Sequence, residues 1–158
     1  MKKIMFICTG NICRSAMAHK MLEKIAEEEN LDIKVYSAGI YAENGDTSTY
    51  NAIETMEEYG VDLKAHRATN VKDSEIEEMD LILCMTLSHK VSLIAMYPEL
   101  KDKIYTLKEY VHFDENNKDK DISDPWGFDL ETYRRCGSEI EKAIRMLVTK
   151  LKQEENEK

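Results

Sequence analysis

"IMFICTGNICRS", Ile4 to Ser15, carries two kinds of information in twelve residues. Ile4 to Cys8 is an unbroken apolar run of strand length, the pattern of a strand buried on both faces of a parallel sheet. Cys8 to Ser15 then reads as a loop. Two cysteines flank Gly10 and Asn11, residue types that tolerate left-handed backbone, and Arg14 and Ser15 follow. From Ser15 the period becomes helical. Met17, Met21 and Ile25 recur every four residues, with Ala18 and Leu22 beside them and Glu and Lys on the other face. Strand, tight loop and amphipathic helix make the first half of a βα unit.

The alternation continues outward from this unit. "IKVYSAG" (Ile33 to Gly39) predicts a second strand ending at a glycine, and Ile53 and Met56 a second helix capped by Gly60. "DLILCM" (Asp80 to Met85) predicts a third strand, Ser88 to Met96 a short helix stopped near Pro98, and "KIYTL" (Lys103 to Leu107) a fourth strand. Ile140, Ile144, Leu147, Val148 and Leu151 mark an amphipathic helix at the end of the chain. The expected fold is α/β: a three-layer, flavodoxin-like or Rossmann-like arrangement of a four-stranded parallel sheet with helices on both faces. At 158 residues the chain has the length of one domain, spanning 1–158, and the polar run 152–158 ("KQEENEK") is expected to fray.

Composition excludes several functions. Net charge is −9 and no Lys/Arg cluster forms a phosphate-backbone footprint, so no nucleic-acid partner is expected. The apolar positions between Met1 and Cys8 are too few for a signal-peptide core or a membrane span, which predicts a cytoplasmic protein with no membrane partner. The four cysteines, Cys8, Cys13, Cys84 and Cys136, form no CxxC pair. In a reducing compartment they predict neither a disulfide framework nor a zinc site. No metal and no cofactor are expected. No surplus apolar helix face is evident, and the protein is expected to be a monomer.

In a parallel α/β sheet, ligands bind where strands end and helices begin, and Cys8 to Ser15 is that place for the first strand. Backbone amides of such a loop, the positive end of the following helix and the planar fork of Arg14 together suit a tetrahedral oxyanion. No "GK[ST]" follows, so this is not a Walker A loop. The same surroundings lower a thiol pKa, and Cys8 is expected to be a thiolate at neutral pH. It can attack a cradled phosphomonoester to form a phosphocysteine, which water hydrolyses. Ser15 is placed to donate a hydrogen bond to the sulfur. Loss of a phenolate needs a separate acid. Asp124 in "DISDPWGFD" (Asp121 to Asp129) is the candidate, in a polar surface stretch stiffened by Pro125, with Trp126 as an apolar wall able to stack on an aromatic substrate.

These residues resemble a low-molecular-weight protein tyrosine phosphatase over essentially the whole chain. The motifs are Cys-x5-Arg-Ser at Cys8 to Ser15, "SAG" at Ser37 to Gly39, "HRA" at His66 to Ala68, "DLILCM" and Asp124-Pro125, in that order. The resemblance implies Cys8 as nucleophile, Arg14 as phosphate and transition-state clamp, and Asp124 as general acid and then general base. It implies a phosphate-binding loop formed by Thr9, Gly10, Asn11, Ile12, Cys13 and Ser15, with Asn11, Ser15, Ser37 and His66 holding it in shape through hydrogen bonds, and a phosphotyrosine-containing protein as substrate. Cys13 matches a loop cysteine that can pair with the nucleophile on oxidation and shield it. Three positions depart from the family pattern. Ala16 stands where proline is usual, Thr86 follows "CM" where aspartate is common, and one aromatic, Trp126, follows Asp-Pro where many members have two. Thioredoxin-linked arsenate reductases share the loop but need two further cysteines about seven residues apart, and Cys84 has no such partner. Protein arginine phosphatases also resemble the chain but carry threonine where Ile12 stands. A side chain without a hydroxyl favours an aryl phosphate over a phosphoguanidinium.

Overall fold

Four strands, β1 (Lys2–Cys8), β2 (Ile33–Gly39), β3 (Leu81–Cys84) and β4 (Ile104–Thr106), pair in parallel in the order β2-β1-β3-β4. The computed structural model describes residues 1–157. β1 is central, with Cys8 level with Gly39 on one side and Ile7 level with Cys84 on the other. Its residues alternate between two cores, as a strand covered on both faces requires. Ile4, Phe6 and Cys8 pack into one and Met5 and Ile7 into the other.

Among the described residues, five α-helices follow the strands: α1 (Arg14–Glu28), α2 (Tyr50–Glu57), α3 (Leu87–Met96), α4 (Leu107–Tyr110) and α5 (Leu130–Asn156). Met17, Met21, Leu22 and Ile25 of α1 and Ile140, Ile144, Leu147 and Leu151 of α5 cover the face that carries Phe6 and Leu83. Leu93 of α3 covers the other face, together with Val71, Ile76 and Leu100 from short 3-10 turns. Each fully buried side chain of this size contributes about 1.5–3 kcal/mol. The three-layer α/β fold is the expected one. Because β1 connects to β2 on one side while β3 lies on its other side, the strand order reverses between β1 and β3. The carboxyl ends of these strands open there into a crevice.

Boundaries shift where capping decides them. α2 stops at Glu57, and Gly60, at φ 71°, completes the turn in which Val61 N–H donates to Met56 O at 2.9 Å. The strand expected to reach Leu107 ends one residue earlier, at Thr106, which closes β4 and forms a capping box with Glu109 that starts α4 at Leu107. The larger correction concerns the tail. Residues 152–156 do not fray but continue α5. Glu154 binds Lys2 Nζ at 2.7 Å and Tyr110 OH at 3.1 Å, Glu155 accepts from Asp32 N–H at 2.9 Å, and Lys152 pairs with Glu29 at 2.6 Å. These contacts are polar, so hydrophobic periodicity carries no trace of them. Lys158 of the same run lies outside the described residues.

Candidate active site

The loop after β1 is held by its carbonyls. Cys8 O accepts from Ile40 N–H at 3.0 Å, Thr9 O from Tyr41 N–H at 2.9 Å and Ile12 O from Thr49 N–H at 3.1 Å. Asn11 O accepts from His66 Nε2 at 2.8 Å. No peptide bond among the described residues is cis. In a planar trans peptide, a carbonyl turned outward sends the next N–H the opposite way. The amides of Thr9, Gly10, Ile12 and Cys13 are therefore turned inward, toward the end of α1. Cys13 caps that helix without a side-chain bond, which leaves first-turn N–H groups open at its positive end. Asn11 makes the turn possible at φ 56°. Its side chain fixes it there, accepting from Thr69 N–H at 3.0 Å and donating to Ser15 Oγ at 2.8 Å.

Cys8, 2% exposed, ends β1 with its sulfur inside this ring of donors. Asn11 N–H donates to Sγ at 3.2 Å, and Ser15 Oγ lies 2.9 Å from it. Because Ser15 Oγ already accepts from Asn11, its own proton is left for the sulfur. Arg14 is buried; its Nη1 donates to Ile122 O at 3.0 Å and its Nη2 stands 3.5 Å from Asp124 Oδ2. Arg14 Nε is buried with no partner among the described residues, so a donor of the fork is left for an oxyanion. Cys13, in the same loop as Cys8, stays a thiol, since burial and then the charge of Cys8 push its pKa up to about 12. No group of three or more His, Cys, Asp or Glu is placed to hold a metal ion among the described residues.

The support behind the loop differs in one respect from expectation. Ser37 makes no loop bond; its hydroxyl meets His19 Nδ1 at 2.7 Å. The His19 ring stands edge-on to His66, 6.1 Å between centroids, and His66 holds Asn11. Ser37 thus bonds His19 rather than the loop, a partner the sequence does not indicate. A histidine on an amphipathic helix carries no signal of its own. Burial lowers the His66 pKa and keeps the imidazole neutral, so its single proton goes to the Asn11 carbonyl. Gly39 closes the rear. A Cβ there would lie 2.6 Å from Thr9 O and 2.9 Å from Asn11 N.

Exposed aromatic residues adjoin the loop and, in the chain, Asp124. Trp126, 62% exposed, donates its backbone N–H to Asp124 Oδ1 at 3.0 Å. Gly127, at φ 82°, then turns the chain so that Phe128 N–H reaches Pro125 O at 3.0 Å, and Phe128 also faces solvent. A second aromatic does follow Asp-Pro, displaced by the turn residue, and exposed Tyr41 stands directly after the β2 end of the loop. Ile12 is partly exposed and packs against Gly10, where a Cβ would lie 3.5 Å from Ile12 Cγ1.

A buried thiol, inward amides, an arginine fork and a carboxylate stand together at one strand end, the groups that phosphoryl transfer through cysteine requires. A sequence profile described as "Low molecular weight phosphotyrosine protein phosphatase" matches residues 3–157. Over 151 residues the chain is 36% identical to a protein-arginine-phosphatase of Bacillus subtilis (strain 168), covering 96% of this chain and 97% of the other. The solved structure of the YwlE arginine phosphatase from Geobacillus stearothermophilus superposes with a TM-score of 0.88 at 37% identity, over 99% of this chain and 97% of that one. That of a low molecular weight protein tyrosine phosphatase from T. tengcongensis does so with a TM-score of 0.87 at 36% identity, over 95% and 99%. The chain belongs to the low molecular weight phosphotyrosine protein phosphatase family.

Proposed function

We propose that this protein is a cysteine-dependent phosphatase that hydrolyses phosphotyrosine in proteins, acting as a monomeric single domain in the cytoplasm. The observation that carries the reading is the Cys8 sulfur facing the Ser15 hydroxyl and Asn11 amide, with the Arg14–Asp124 pair beside it. The loop amides from Thr9 to Ser15 and the Arg14 fork hold the three non-bridging oxygens. The Cys8 thiolate attacks phosphorus as the aryl–oxygen bond breaks, and Asp124 protonates the departing phenolate. Asp124 then takes a proton from the water that cleaves phosphocysteine, and Ser15 stabilises the sulfur as leaving group. Cys13 is the thiol able to condense with a Cys8 sulfenic acid, forming a disulfide and releasing water.

Ile12 favours tyrosine: at the loop's surface it offers an apolar contact to an aryl ring and no hydroxyl to a guanidinium. The arginine phosphatases among the relatives support a second reading, in which a phosphoarginine side chain enters the same loop. Parallel turnover assays on phosphotyrosine, phosphoarginine and phosphoserine peptides, with arsenate reduction as a fourth arm, separate the two. Faster turnover of phosphoarginine would overturn the tyrosine assignment. Turnover surviving in Cys8→Ser would overturn the mechanism.

A further inference from the structure

Thr9 is the only exposed residue between Cys8 and Ser15, and its side chain is held from outside the loop. Its Oγ1 lies 2.8 Å from Nε2 of His89, in the first turn of α3. Thr86 caps α3 by accepting from His89 N–H at 3.1 Å, and Leu87 N–H donates to Asp121 Oδ1 at 2.7 Å. Together these bonds place the imidazole under the loop. His89 is only 7% exposed, and its Nδ1 is buried with no partner among the described residues. Burial, reinforced by the Arg14 charge, pushes its pKa down to about 4, so the ring is neutral at neutral pH and carries one proton.

The location of that proton follows from what each nitrogen meets. A buried N–H without an acceptor is rarer than an unpaired acceptor, which disfavours the tautomer protonated on Nδ1. The proton then sits on Nε2 and points at Thr9 Oγ1. A hydroxyl that accepts one hydrogen bond retains its own proton, as Ser15 does toward Cys8.

We infer that His89 is a positioning residue of the loop: it donates from Nε2 to the Thr9 hydroxyl, and so makes that hydroxyl a hydrogen-bond donor to the oxygens of a bound phosphoryl group. The inference rests on the phosphatase reading and adds to the loop a side-chain donor oriented from another element.

The test compares His89→Phe, His89→Asn, His89→Gln, Thr9→Val and the double variant Thr9→Val/His89→Phe. Gln carries an amide N–H near the position of Nε2, whereas the shorter Asn cannot reach Thr9. His89→Phe, His89→Asn and Thr9→Val should each lose about tenfold in kcat/KM on an aryl phosphate, the loss expected for one hydrogen bond. His89→Gln should stay within about threefold of the parent, and the double variant should be no worse than the poorer single one. Equal losses in His89→Gln and His89→Asn, or multiplied losses in the double variant, would overturn the inference. The dissociation constant of inorganic phosphate, measured by calorimetry on the same proteins, should follow the same order. That arm needs no turnover, so a parent protein that binds phosphate but hydrolyses no phosphopeptide would refute the phosphatase reading and leave the role of His89 still decided.

Discussion

In the proposed reaction, Asp124 and Ile12 govern separate properties of the same site. Asp124, the acid of the proposed reaction, stands 3.5 Å from Arg14 Nη2, with its carboxylate accepting from the Trp126 backbone N–H. Asp124→Asn keeps the shape and removes the transferable proton. It should lower kcat by about two to four orders of magnitude on phenolic esters with poor leaving groups, and much less on activated ones; a fall below about tenfold on the former would mean that another group is the acid. In the same proposal, Ile12 affects choice rather than rate. Ile12→Thr should raise the phosphoarginine-to-phosphotyrosine ratio of kcat/KM by at least about fivefold, since a hydroxyl replaces an apolar contact. An unchanged ratio would remove Ile12 as the discriminating position.

At the scale of elements, the loop depends on the end of β2 for its shape. Gly39 lies so close to Thr9 O and Asn11 N that Gly39→Ala must displace backbone rather than a flexible side chain. The variant should lose about 1–3 kcal/mol in urea unfolding and, because the displaced atoms belong to the anion loop, at least about tenfold in kcat/KM. The end of α5 gives the opposite case. Deleting residues 152–158 removes the bonds from Glu154, Glu155 and Lys152 to Lys2, Asp32 and Glu29 but no fully buried apolar side chain. Partly exposed ion pairs are each worth little, so the expected cost is about 1–2 kcal/mol with turnover retained. An unchanged midpoint would restore the view of this segment as a frayed end.

For the whole molecule, the buried histidines link stability to pH. His89 has a folded pKa near 4 against 6.5 for the free side chain, and burial lowers that of His66 as well. Between these values the unfolded chain binds more protons, so stability falls as pH drops from about 6.5 toward 4. His89 alone accounts for about 3 kcal/mol of that fall. Glu23 extends the loss to lower pH. Chiefly through its bond to His19, its pKa is lowered from 4.5 to about 2, so its stabilisation is complete above 4.5 and disappears as pH falls through that window. Urea unfolding at pH 7.5, 6 and 5 should show decreasing stability, with a shallower slope in His89→Gln. A flat profile in the parent protein would contradict the neutral buried state of His89.

Periodicity and residue type determined the strands, the parallel sheet, the loop at the end of β1 and the identities of Cys8, Arg14, Ser15 and Asp124. These features are local: an apolar run, a helical period or a six-residue spacing is written in consecutive residues. Only the tertiary structure decided that Ser37 bonds His19, that His89 meets Thr9, that Gly39 leaves no room for a Cβ and that residues 152–156 remain helical against the start of β1. Each of these depends on a polar side chain or a close backbone approach between residues far apart in the chain. Hydrophobic patterning registers which face of an element is buried, but not which distant donor meets which acceptor once the faces are packed.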